Sequence, residues 1–137
     1  MYQKPEEIVV IQFTRRENFT KMEVVTMKND LDAFNEFVGG YIEVTSAVPD
    51  GKKPGEKLHL VSNEEGKVIS LEPTIGFAKG QELIDYIAGN AVLLRSNEES
   101  DFDSLTDADI DYLMSRYETQ GVVTMGEKSY HIHIFNG

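Results

Sequence analysis

Short runs of β-branched and apolar residues are the feature that most constrains the fold of this chain. These runs fall at residues 6–13, 21–28, 41–48, 57–62, 68–71 and 91–96. Each run is bounded by turn-forming residues, which is typical of a β-strand. The polar turn at residues 15–18 predicts a hairpin between the first two strands. Residues 122–135 predict a closing hairpin around Gly126 and Glu127.

A helix is predicted between the second and third strands, over about residues 30–38. Leu31, Phe34 and Val38 fall at i, i+3 and i+7, so they share one apolar face. Asn29 is suited to cap the N-terminus of this helix, because its side chain can accept a hydrogen bond from a free backbone N–H.

Gly39 and Gly40 follow this helix directly. A glycine just past a helix adopts the left-handed conformation at little cost, and the amides that follow can then satisfy the last helical carbonyls. We interpret the pair as a helix stop. A phosphate cradle fits less well, because anion sites lie at helix N-termini.

A second helix is predicted over about residues 107–118. Thr106 and Asp109 have the spacing of a capping box. An apolar stripe at helical spacing follows, formed by Ile110, Leu113, Met114 and Tyr117. Residues 81–90 are expected to add a short helical segment before the strand at 91–96.

Strands therefore outnumber helices, and the helices are few and interspersed. This order favours an α+β fold with a mainly antiparallel sheet over a doubly wound parallel sheet. The length of 137 residues predicts a single domain over residues 1–137.

The composition restricts the chemistry. The chain has no cysteine, which excludes disulfides, thiolate metal ligands and a cysteine nucleophile. It shows no signal-peptide pattern at residues 1–13 and no apolar run near the roughly 20 residues that span a bilayer. We expect a soluble cytoplasmic protein that does not enter membranes. No motif for a cofactor, a phosphate loop or a catalytic serine is present, so a binding function is favoured over an enzymatic one.

Negative charge is concentrated near the C-terminus. The net charge is −11, and residues 97–137, with nine acidic and two basic side chains, account for −7 of it. Such a chain repels nucleic acid and is attracted to basic protein surfaces. Solubility is the simpler explanation of the same charge.

Residues 97–111 hold seven carboxylates and no basic side chain. The helix dipole favours acidic residues in a first turn, and it accounts for Asp107 and Asp109 only. The segment lacks the central glycine of a calcium loop. The predicted partner-binding surface consists of Glu98, Glu99, Asp101, Asp103, Asp107 and Asp111.

A metal site is a weaker hypothesis. His131 and His133 lie two residues apart on a predicted strand, so their imidazoles would share one face. Together with His59 as a third ligand they could hold zinc, copper or iron. Two exposed histidines on an edge strand are the commoner explanation of this pattern.

A small anionic ligand, such as a nucleotide signal, is a further alternative. Arg15, Arg16, Lys52 and Lys53 could supply positive charge for it. The closing hairpin could also offer an edge strand for a homodimer.

Four ordered segments resemble a small domain of unknown function encoded by phages, plasmids and conjugative elements of Gram-positive bacteria. They are FVGGYIEV at 37–44, LVSNEEGKV at 60–68, DYIAGNAVLL at 85–94 and DFDSLTDADIDYL at 101–113. The resemblance covers about residues 28–118 and leaves the two terminal hairpins as extensions. It implies a mobile-element setting and supplies no catalytic residue.

These observations give three hypotheses, in this order. The first is a non-enzymatic accessory protein of a mobile element or phage, which binds a protein with a basic surface and has an anti-defence or regulatory role. The second is a small-ligand binder that sequesters a nucleotide signal. The third is a metal-binding protein or enzyme that uses the histidine pair.

Overall fold

The alternation of buried and exposed residues along the chain produces ten strands and two helices in a computed structural model, which describes residues 4–48 and 57–136. The elements are β1 (Glu7–Arg15), β2 (Thr20–Lys28), α1 (Leu31–Val38), β3 (Ile42–Ser46), β4 (Leu58–Asn63), β5 (Pro73–Lys79), β6 (Glu82–Ala88), β7 (Ala91–Ser96), β8 (Phe102–Asp103), α2 (Asp107–Tyr117), β9 (Gln120–Met125) and β10 (Lys128–Phe135). The fold is α+β with mainly antiparallel pairing, as predicted.

Two sheets organise these strands. The large sheet has the order β2-β1-β7-β4-β3, with the short β8 paired to the end of β7, and all of its pairs are antiparallel. The small sheet has the order β6-β5-β10-β9. Its central pair, β5 with β10, is the one parallel pair in the described part of the chain.

The large sheet is the middle layer, because its central strands bury side chains on both faces. On one face Val10, Val61 and Val92 pack with Phe34 of α1. On the other face Phe13, Leu60 and Leu93 belong to a core shared with the small sheet and α2, to which Ile75, Leu113 and Tyr117 contribute. No helix among the described residues is both long and apolar enough to cross a bilayer.

Both predicted hairpins and both principal helices are confirmed, and β9 and β10 close around Gly126 and Glu127. The helical expectation for residues 81–90 is wrong, because Glu82–Ala88 forms β6. The apolar residues of this segment fit the repeat of a helix as well as that of a strand, and pairing with β5 selects the strand. The strand expected at residues 68–71 is also wrong, because Val68 and Ile69 lie in an exposed turn.

The N-terminus of α1 differs from the prediction by one residue. Asp30 is the cap, and its side chain accepts a hydrogen bond from the Ala33 N–H. Asn29 is instead buried and donates to the carbonyls of Pro5 and Phe102, which lie on other segments. The neighbouring residue can cap because aspartate is as good an N-cap as asparagine.

The C-terminus of α1 is held from three sides. Gly39 has φ of +82°, and the N–H groups of Gly39 and Gly40 both donate to the Asn35 carbonyl. The Asn63 side chain donates to the Val38 carbonyl at 3.1 Å, and the Asn90 side chain donates to the Phe37 carbonyl at 3.2 Å. The predicted helix stop is therefore confirmed.

Position 40 requires glycine for a separate, steric reason. A Cβ atom there would lie 2.9 Å from Nδ2 of Asn63, the atom that binds Val38. Glycine at position 40 thus allows the Asn63 side chain to reach the end of α1.

We predict that Asn63→Ala lowers the free energy of unfolding by about 1–3 kcal/mol, because the Val38 carbonyl loses its donor. Urea denaturation of the two proteins measures the difference. Asn18→Ala, at an exposed turn position, is the matched control and should leave the midpoint unchanged. Equal midpoints for the Asn63 variant and the wild type would contradict this role.

Candidate functional site

The predicted acidic surface occupies one continuous stretch from the end of β7 to the second turn of α2. Glu98, Glu99, Asp107 and Asp111 are exposed, whereas Asp101 and Asp103 are half-buried. We call these six residues the acidic segment.

Two structural features fix the backbone of this stretch. Asn97 is the centre of a tight turn, because its side chain accepts from the N–H groups of Glu99 and Asp101. Its own N–H donates to the Asp101 carbonyl at 2.9 Å. Two residues further on, Asp103 pairs with Arg95 in the β7–β8 ladder. The acidic segment is thereby attached to the large sheet.

The seventh carboxylate, Asp109, has a structural role. It is 4% exposed and accepts two hydrogen bonds of 2.7 Å from the Arg95 guanidinium. It also completes the predicted capping box, since it accepts from the Thr106 N–H while the Thr106 hydroxyl accepts from the Asp109 N–H. The bidentate pair, followed by the Thr106 bonds, holds the pKa of the Asp109 carboxyl below its usual value of 3.8.

The six carboxylates of the acidic segment differ from Asp109 in forming no ion pair with a described lysine or arginine. Within residues 4–48 and 57–136, no lysine or arginine forms an ion pair with any of them. Arg95 attracts Asp103 across the β7–β8 ladder, but its direct ion pair is with Asp109. Glu98, Glu99, Asp107 and Asp111 therefore carry exposed negative charge that no ion pair among the described residues neutralises.

The structure does not bring the three histidines together. His133 is buried, with Nδ1 2.8 Å from the Tyr117 carbonyl oxygen and Nε2 3.2 Å from that of Thr20. His131 is exposed. His59 lies in the large sheet against the Ser96 hydroxyl at 2.8 Å, and burial lowers its pKa.

In the described part of the chain, no group of three or more histidine and acidic side chains could hold a metal ion. This corrects the hypothesis of a site formed by His59, His131 and His133. The physical reason is that His133 points into the core between α2 and β2. Both of its ring nitrogens lie there within hydrogen-bonding distance of backbone carbonyl oxygens.

The cations expected to bind an anionic ligand are also differently placed. Arg15 links the two sheets, because its guanidinium donates to the carbonyls of Pro73 and His131 at 3.0 Å. Burial lowers the pKa of this guanidinium. Arg16 is exposed in the hairpin turn, and Lys52 and Lys53 lie outside the described residues.

A cleft of about 660 Å³ lies between the two sheets, where β3 and β4 face β6. Its volume is in the range of ligand-binding clefts. Glu43 and Thr45 of β3 line one side, and Ile84 and Tyr86 of β6 line the other. Lys67 contributes at one end, where its ammonium contacts the Asp85 carboxylate and lies 4.6 Å from the centre of the Tyr86 ring.

The sequence did not predict this cleft. Its lining comes from four separate segments, residues 43–46, 62–68, 77 and 84–88, which only the fold brings together. The sequence shows Val68 and Ile84 as apolar residues, but only the structure shows that they are 82% and 61% exposed.

We predict that Asp109→Asn destabilises the fold by about 1.5–3 kcal/mol near neutral pH, because a charged hydrogen-bonding pair is lost while an amide oxygen can still accept from Thr106. A folded-state pKa below the unfolded value means that the wild-type advantage is complete above about pH 5, declines below that pH, and is lost as the pH falls through the folded-state pKa, which lies below 3.8. Urea titrations of both proteins at pH 7, 5 and 3 measure this. A difference that grows towards low pH would contradict the assignment.

Comparison with known proteins places the chain in a family. The family model described as "Domain of unknown function (DUF3846)" matches residues 11–118, which extends further towards the N-terminus than the four motifs that begin at residue 37. No curated protein and no solved structure matches the chain significantly. The matched region runs from β1 to the end of α2 and omits β9 and β10, although β10 is a central strand of the small sheet. The chain belongs to the DUF3846 family, a family of unknown function.

Proposed function

We propose that this chain is a non-enzymatic accessory protein of a bacterial mobile element or phage, which acts in the cytoplasm and binds a protein partner through the acidic segment. The partner carries a basic surface, such as a groove that handles nucleic acid. The observation that supports the proposal is the set of six carboxylates that form no ion pair with any described lysine or arginine, on a backbone held by Arg95, Asn97 and Thr106.

The fixed backbone matters for affinity. A disordered acidic tail loses conformational entropy when it binds, whereas a preorganised surface avoids most of that cost. Since β8 and the cap of α2 already position Asp103 and Asp107, binding would need to order side chains only.

The charge also determines which partner is favoured. Carboxylates compete with phosphates for the same lysine and arginine side chains, and complementary charge raises the association rate. A net charge of −11 opposes direct contact with nucleic acid. An anti-defence or regulatory role follows if the basic partner is a nucleic-acid-handling protein.

The test compares two variants with the same change in net charge. The first carries Glu98→Lys, Asp101→Lys and Asp103→Lys. The matched control carries Glu17→Lys, Glu36→Lys and Glu127→Lys, three exposed positions on other elements. Tagged proteins are used to capture partners from a lysate of the organism that encodes the chain, and the eluates are compared by mass spectrometry.

We expect a stoichiometric basic protein with the wild type and the control, and at least tenfold less of it with the first variant. Recovery should fall as salt is raised, because exposed charges are screened. Circular dichroism spectra of both variants, compared with that of the wild type, serve as the control for folding. A partner retained equally by both variants, or no partner with the wild type, would contradict the proposal.

A further inference from the structure

Among residues 4–48 and 57–136, the strand β3 pairs with β4 on one side and with no strand on the other. Hydrogen bonds from the Glu64 N–H to the Tyr41 carbonyl and from the Ala47 N–H to the Leu58 carbonyl lie at the two ends of its ladder with β4. Because antiparallel bonding alternates along a strand, residues 43 and 45 also face β4. The N–H and C=O groups of Ile42, Val44 and Ser46 therefore point outward from the sheet.

The residues of β3 are more exposed than those of β1 and β2, which precede it in the chain. Four of the five residues of β3 are exposed, and Val44 is 44% exposed. No strand pairs with the outer side of β3 among the described residues. Natural proteins usually protect such an edge, and an edge left open is a template for another strand.

The edge opens directly onto the cleft between the sheets. Glu43, Thr45 and Ser46 line the cleft on the β3 side, and the exposed aliphatic side chains of Val68 and Ile84 line it opposite. A strand added to β3 would extend the large sheet over the cleft. On the cleft face its side chains would lie beside Glu43 and extend over Val68 and Ile84, and on the opposite face they would lie beside Val44.

The opposite wall does not offer an equivalent edge. The Tyr86 N–H of β6 donates to the Asp85 carboxylate at 2.8 Å, and the same carboxylate receives the Lys67 ammonium. The Tyr86 N–H is therefore not available to an added strand. Of the two walls of the cleft, β3 is the one whose outward backbone groups have no described partner.

Charge indicates the chemistry of the added strand. Glu43 and Glu64 line the cleft, and no described lysine or arginine forms an ion pair with either. Lys67, the cation in the lining, is already paired with Asp85. Opposite charges on neighbouring strands are stabilising, so basic side chains facing Glu43 are favoured.

We propose that the β3 edge and the adjoining cleft bind an extended peptide segment in which lysine or arginine alternates with aliphatic residues, and that this segment becomes an additional strand of the large sheet. Main-chain hydrogen bonds to Ile42, Val44 and Ser46 supply affinity, and alternate side chains supply specificity. This surface is separate from the acidic segment and does not depend on its function.

The test uses a defined probe, the acetylated and amidated hexapeptide Lys-Val-Lys-Val-Lys-Val, with the Glu-Val-Glu-Val-Glu-Val peptide as its charge-reversed counterpart. Each is titrated into ¹⁵N-labelled full-length protein and followed by amide chemical shifts. We expect saturable shifts centred on residues 42–46 with the lysine peptide and none with the glutamate peptide.

Two proline variants isolate the strand edge. Val44→Pro removes an outward N–H from β3 without breaking its ladder to β4, and proline is tolerated on edge strands. Val24→Pro is the matched control at the other end of the same sheet. Val24 is 43% exposed on β2, and the bonds Arg16 N–H to Phe19 and Asn29 N–H to Glu6 place its own N–H outward as well.

Val44→Pro should weaken the lysine peptide at least tenfold, and Val24→Pro should leave its affinity unchanged. Glu43→Lys with Glu64→Lys is a second variant that keeps the edge and removes the charge, and it should also weaken binding. Shifts located on residues 97–111, or binding lost on reversal of Glu98, Asp101 and Asp103 instead, would overturn the proposal and assign the peptide to the acidic segment. No saturable shift with the lysine peptide would also overturn it.

Discussion

The rest of the structure depends on the hydrogen bonds that asparagine side chains donate to the last carbonyls of α1. Asn63 at the end of β4 and Asn90 just before β7 each donate to one of these carbonyls. Asn90 also accepts from the Arg15 N–H at the end of β1. One helix end thus joins three adjacent strands of the large sheet, and a buried carbonyl left without a donor would cost about 1–3 kcal/mol.

Close packing and hydrogen bonding explain several glycines and asparagines in the segments that carry the family resemblance. Gly40 leaves space for Asn63, and Gly66 lies where a Cβ atom would be 2.5 Å from the Ala88 carbonyl oxygen. Gly89, with φ of +92°, lies against Leu71. These glycines and asparagines have architectural roles, so the family pattern describes a scaffold. The same motifs also contain Asp101, Asp103, Asp107 and Asp111 of the acidic segment, whose proposed role is separate from this scaffold.

Much of this fold was predictable, because its strongest signals are local. The two hairpins and the capping box of Thr106 and Asp109 depend on residues only a few positions apart. The β6 strand was not, because Glu82–Ala88 takes its conformation from pairing with β5. The acidic segment was found from charge alone, whereas Arg95 as the partner of Asp109 lies 14 residues away and requires the fold. Exposure of His131 beside the buried His133 depends likewise on packing against Tyr117 and Thr20.

Solubility and recognition make different demands on an acidic surface. Solubility depends on net charge and is satisfied wherever the charge lies, including a disordered tail. Here six carboxylates follow one another on a stretch whose turn, short strand and helix cap are each hydrogen-bonded. Like charges held in fixed positions repel one another, and Asp107 and Asp111 do so one helical turn apart. Under the proposed function, the basic surface of a partner supplies cations that relieve this repulsion, so a fixed arrangement of carboxylates suits recognition better than solubility alone requires.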